Sequence, residues 1–77
     1  MKTIKLATYL RKADREYERT KQAIGEETMR KWRLDYDYIL FSLLRKEERP
    51  FKLAWKGRTY EIWTEEDLER TLLIINY

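Results

Sequence analysis

Arg11, Arg15 and Arg19 stand four residues apart near the start of the chain. On a helix that spacing sets three guanidinium groups in one row, with Lys12 beside it, and such a row can follow a phosphate backbone. Acids interleave with it: Asp14 is three after Arg11, Glu18 three after Arg15, and Glu16 three before Arg19. The favoured reading is a solvated helix face laced with ion pairs, with phosphate contact as the alternative.

A second basic group surrounds an indole. The stretch MRKWRL places Arg30, Lys31 and Arg33 around Trp32, a mixture that can hold single-stranded nucleic acid by charge and stacking. Trp32 also falls on an apolar helical seam, which predicts packing against the preceding helix instead. Trp63, Lys52, Lys56 and Arg58 make a third group, on or near a hairpin. A basic hairpin can act as a wing along a nucleic-acid groove, but lysines on an edge strand are also an ordinary guard against aggregation.

Catalytic chemistry finds no comparable support. The acids fall in the clusters Glu26-Glu27, Asp35/Asp37, Glu47-Glu48 and Glu65-Glu66-Asp67. General acid–base work needs groups that converge on one pocket. Asp35 and Asp37, two apart on a helix, point to different sides. The remaining clusters fit helix ends, where they complement the dipole. Histidine and cysteine are absent and there are two glycines. These counts leave no Ser/His or Cys/His pair, no disulfide, no zinc site of the usual kind and no glycine-rich phosphate loop. No enzyme activity, metal or cofactor is expected.

The elements that must position these residues read as two helices, a hairpin and a helix. From Thr3 to Ile24 the seam Leu6, Leu10, Ala13, Tyr17, Thr20 and Ile24 steps by threes and fours, and Gly25 closes it. Glu26-Glu27 opens a second helix with the seam Met29, Trp32, Tyr36, Ile39/Leu40 and Leu43, which Pro50 ends. FKLAWKGRTYEIW then alternates apolar and polar residues. A two-residue turn at Lys56-Gly57 sets Trp55 opposite Arg58, Leu53 opposite Tyr60 and Phe51 opposite Ile62 on one face. Ala54 opposite Thr59 and Lys52 opposite Glu61 form the other. Thr64 caps a last helix through Asp67, with Leu68, Leu72 and Ile75 inward. Residues 72–77 fit either helix or strand.

The expectation is therefore one small α+β domain over residues 1–77, in the order ααββα. The hairpin's inner face should pack on YILFSLL and the last helix. Two helices longer than a small hairpin should protrude near Gly25, leaving Tyr17, Ile24, Met29 and Trp32 with only each other to pack on.

The chain has 77 residues, 40% of them charged, and a formal net charge of +3. Residues 1–33 hold ten Lys/Arg against five Asp/Glu, whereas residues 64–77 hold one Arg against four acids, a polarity suited to a polyanion or to head-to-tail self-association. The apolar runs are too short for a membrane span or a signal peptide, so a soluble cytoplasmic protein is expected. A chain this short gains marginal stability from its own core, which turns attention to partners. The leading expectation is a protein-interaction module, a small inhibitor or adaptor, that docks through Tyr17, Ile24, Met29, Trp32 and Trp63 and pairs as a homodimer in isolation. The alternative is a nucleic-acid-binding regulator using Arg11, Arg15, Arg19, Arg30, Arg33, Lys52, Lys56 and Arg58.

Overall fold

Lys2–Lys5 alternates exposed residues with one buried isoleucine, Ile4, and forms strand β1 in the computed structural model, which describes residues 1–75. Helix α1 (Leu6–Ile24) follows directly, then α2 (Glu26–Lys31), α3 (Tyr36–Lys46), strands β2 (Phe51–Trp55) and β3 (Arg58–Ile62), and helix α4 (Glu65–Ile74). The class is α+β, with a three-stranded sheet in the order β1-β2-β3.

Two expectations need correction. The segment read as helix from Thr3 begins as a strand, because Lys2–Lys5 pairs in parallel with β2, Ile4 lying opposite Leu53. Ladder bonds to a segment nearly fifty residues away override a local pattern that joins smoothly to the helix. The second helix, read as continuous to Pro50, is interrupted. Arg33 adopts φ 57°, its N–H donates to the Arg30 carbonyl, and the Leu34 N–H donates to the Met29 carbonyl at 2.8 Å. These two bonds are a Schellman closure of α2. Asp35 then caps α3, its carboxylate accepting from the Tyr38 N–H at 2.8 Å. Asp35 is thus a cap residue outside the helix, not one of two acids on a helical surface.

The hairpin follows its expected register at all five pairs, from Trp55–Arg58 to Phe51–Ile62. Its turn places Lys56 at φ 46° and Gly57 at φ 76°, the paired positive angles of a type I′ turn. Thr64 and Asp67 form the capping box, each satisfying the other's backbone N–H, and Asp67 also accepts from the Trp63 N–H at 2.9 Å. Helix α4 reaches Ile74, so residues 72–74 are helical; residues 76 and 77 lie outside the described residues.

The core sits between the sheet and the helices. Ile4, Phe51, Leu53 and Ile62 from the sheet meet Leu6, Tyr9 and Ala13 of α1, Ile39, Leu40 and Leu44 of α3, and Leu68 and Leu72 of α4. Tyr9 stacks on Phe51 and donates its hydroxyl to the Leu40 carbonyl, so a polar atom enters the core already satisfied. Burial, reinforced by Glu47, pushes the Tyr9 phenol well above its ordinary range. Helices α1 and α3 run antiparallel: Tyr9 meets Leu40, and further along α1 Tyr17 meets Tyr36 edge-on at 6.3 Å. Beyond Ala13 no α1 residue is fully buried, and the molecule measures 38 × 20 × 19 Å. The distal half of α1 and the short α2 extend past the core.

Candidate interaction surface

The break after α2 decides what the distal end presents. Trp32, the C-cap of α2, keeps its N–H bond to the Thr28 carbonyl and is 68% exposed. This overturns the expectation that it packs against the first helix. Met29, one turn earlier, stays inward and is buried. Ile24, the last residue of α1, is exposed. Tyr17 is half-buried and packs on the core through Tyr36.

Tyr17 and Met29 come together with Glu26, Arg30, Arg33 and Asp35 around an open cleft of about 330 Å³. Its floor is a thioether and a phenol ring, and its rim holds two arginines and two carboxylates. Arg30 and Arg33 form no ion pair among the described residues. The Asp35 carboxylate is held by the backbone of α3. Gly25 links α1 to α2 at φ 85° and ψ 155°, accepting from the Met29 N–H while its own N–H bonds the Lys21 carbonyl. That region of backbone space is essentially reserved for glycine, so one residue ends α1 and starts α2. The expected left-handed cap is replaced by this more extended conformation.

Trp63 belongs elsewhere. It follows β3 on the face of the sheet away from the helices, is 55% exposed, and donates its indole N–H to Glu61 Oε1 at 2.7 Å. The five residues expected to dock a partner therefore do not form one patch: Tyr17 and Met29 share the cleft, Ile24 and Trp32 end the helices that flank it, and Trp63 marks the sheet.

The basic residues separate similarly. Arg11, Arg15 and Arg19 are all exposed on the side of α1 opposite the buried Leu6, Tyr9 and Ala13. Of the three ion pairs that spacing suggested, only Arg19–Glu16 forms, at 3.3 Å. Lys12 reaches Glu47 at 3.8 Å, and Glu47 also takes Lys2 at 3.4 Å. Lys52 is on the central strand, not an edge, half-buried on the sheet's outer face between Thr3 and Glu61. Lys56 lies in the turn with its ammonium 5.3 Å from the Trp55 ring centroid, and Arg58 pairs with Trp55 on the opposite face from Lys52. No single basic hairpin surface results.

Among the described residues no group of His, Cys, Asp or Glu is placed to hold a metal ion, and no helix is long and apolar enough to cross a membrane. Sequence reasoning missed the cleft because it missed the turn. The signal for that turn was Asp35, an N-cap residue three before Tyr38 at the head of an apolar run. No protein-family model, curated protein or solved structure matches the chain.

Proposed function

We propose that this protein acts by docking on a larger protein, as a small inhibitor or adaptor, with the distal helical end as its contact surface. The observation that carries this reading is Trp32, a large indole exposed at a backbone-closed turn. Tryptophan, tyrosine and arginine are the side chains that most often anchor protein interfaces; Tyr17, Arg30 and Arg33 line one cleft, and Trp32 ends the helix α2 that supplies Met29 and Arg30 to it. The rim carries both signs of charge, which suits a mixed protein surface better than a uniform polyanion.

A homodimer through the same end has less to recommend it than the sequence suggested. Met29 is buried and Tyr17 is packed within the chain, leaving Trp32 and Ile24 as the main apolar surface there. A stable interface generally buries about 800 Å² on each partner, more than two side chains supply. The nucleic-acid alternative is kept for a specific reason: Arg11 and Arg15 form no ion pair among the described residues. Asp14 and Glu18 are nevertheless exposed in the same helix and interrupt the positive field.

Affinity capture with tagged protein, with and without nuclease, tests the ranking. Trp32→Ala should lose the captured partner and shift stability by less than about 0.5 kcal/mol, as surface substitutions do. Capture that survives Trp32→Ala but disappears with nuclease, together with a salt-sensitive gel shift weakened by Arg11→Ala and Arg15→Ala, would transfer the function to nucleic acid. Ultracentrifugation at micromolar concentration reports whether a second copy occupies the surface first.

A further inference from the structure

The sheet has two outer edges, and they are treated differently. β1 is four residues long, carries Lys2 and Lys5, and turns straight into α1, so its edge is short and guarded by lysine. β3 pairs with β2 over five residues and contains no proline or lysine. Among the described residues no strand pairs with its far side.

Which backbone groups that edge offers follows from the turn. A two-residue hairpin makes the pair flanking the turn a hydrogen-bonded one, and the pattern alternates from there. Trp55–Arg58, Leu53–Tyr60 and Phe51–Ile62 are thus the bonded pairs, and Thr59 and Glu61 direct their N–H and C=O groups away from β2. Among the described residues neither makes a backbone bond outside the β2–β3 ladder.

Beside this edge lies a recess of about 390 Å³, lined by Trp55, Lys56, Arg58, Tyr60, Ile74 and Ile75. Among the described residues its walls combine two aromatic rings, two isoleucines and two cations, with no acid. Ile74 is 59% exposed. Neither Lys56 nor Arg58 has a carboxylate partner among the described residues. Lys56 is held over the Trp55 ring, which fixes its charge at the tip end of the edge.

We infer that the outer edge of β3 accepts an extended acidic peptide segment as a fourth strand, its backbone bonding Thr59 and Glu61, one apolar side chain entering the recess and its carboxylates meeting Lys56 and Arg58. Strand addition of this type takes affinity from main-chain bonds and specificity from pockets for alternate side chains. Charge selects the acidic occupant over a neutral or basic one, because the described lining supplies two cations and no carboxylate. This surface shares no residue with the Tyr17–Met29 cleft and does not include Trp32, so it stands or falls separately from the function proposed above.

The probe is a synthetic peptide of about ten residues that carries valine and glutamate together at one set of alternate positions and serine at the other, so that both types face the recess and Arg58, blocked at both ends and titrated into the full chain by fluorescence anisotropy and amide NMR. Binding should slow exchange of the Thr59 and Glu61 amides, and Trp32→Ala should leave it unchanged. Replacing the peptide's glutamates by lysine should weaken it more than about tenfold, as should Lys56→Asn with Arg58→Gln. N-methylation of alternate peptide amides should do the same by removing the ladder donors. A peptide indifferent to N-methylation, a lysine version binding equally well, or shift changes confined to the Tyr17–Met29 cleft and Trp32 would each overturn the proposal. So would amide protection at Thr59 and Glu61 that rises with protein concentration alone, which would assign the edge to a second copy.

Discussion

The β-hairpin and the distal helical end make an instructive pair, since both are built on a positive-φ turn and only one announced it. In the hairpin, Gly57 sits between two alternating runs, and a two-residue loop admits one register that keeps Phe51, Leu53 and Ile62 on the same face. At the helical end the turn is made by Trp32-Arg33-Leu34-Asp35, with no glycine or proline. Met29, Trp32 and Tyr36 keep helical spacing straight through it. Periodicity registers which residues are apolar and cannot register a single residue that leaves the helical well. The hairpin's geometry is therefore local and redundant, whereas the helical break rests on one strained arginine, one cap and two backbone bonds.

The widest test of the contrast is at β1, where long-range pairing replaced the expected helix start. Ile4 is buried opposite Leu53, so Ile4→Ala should cost about 2–4 kcal/mol in denaturant unfolding, as for other buried isoleucines. A residue in a fraying helix start would cost far less, and a loss under about 0.5 kcal/mol would remove β1 from the sheet.

The two glycines come next. A β-carbon added at either would meet no atom within 4 Å, so any penalty comes from the backbone alone. Gly57→Val should destabilise by more than about 1 kcal/mol, and Lys56→Asn, which suits φ 46°, should be neutral or better. Gly25→Ala should cost about 1–3 kcal/mol, because its conformation is closed to other residues. A melt indifferent to Gly25→Ala would mean that the α1–α2 junction can rearrange, and the cleft with it.

The turn after α2 can be improved and broken by neighbouring substitutions. Arg33→Gly removes the left-handed penalty of about 1 kcal/mol and should raise the melting temperature. Asp35→Ala removes the cap of α3 and should cost about 1 kcal/mol. If helix ran unbroken from Glu26 to Lys46, Arg33→Gly would instead destabilise by about 1 kcal/mol. The sign alone decides.

What could be read in advance follows the same division. The hairpin pairs, the Thr64–Asp67 box and the α+β class come from signals within a few residues of one another. β1 depends on a partner nearly fifty residues away. Tyr9, missing from the expected seam, owes its burial to Phe51 and Leu40, which only the fold brings beside it. For the candidate surface, the residue types were legible and their grouping was not: placing Tyr17 with Arg33 and Asp35 required the turn.

Alkali should expose the core that the helical end lacks. The Tyr9 phenol is raised by burial and by Glu47, so its neutral form is favoured in the folded state. Its contribution is full below the unfolded tyrosine value of about 10 and is lost as pH rises above it. Stability measured from neutral pH upward should fall above about pH 10, and less steeply in Tyr9→Phe. Equal slopes would mean the fall comes from other groups.

The smallest expected effect is at the acid limb, in the cap that joins the hairpin to α4. The Asp67 carboxyl is held below its usual range first by the Trp63 N–H, then by the Thr64 N–H and by Arg70. A lowered value means that the folded state favours the charged form. Its stabilisation is present above the unfolded aspartate value of about 3.9 and disappears as pH falls through the folded value. Asp67→Asn keeps an oxygen that can accept from both backbone donors while removing the charge. The variant should be slightly less stable than the parent at neutral pH, and the gap should close below about pH 4. Because the carboxylate is at the surface, added salt should narrow the gap as well. A gap that is constant from neutral pH to acid would show that the cap works through geometry alone, making it the same kind of device as the Lys56-Gly57 turn at the other end of the strands.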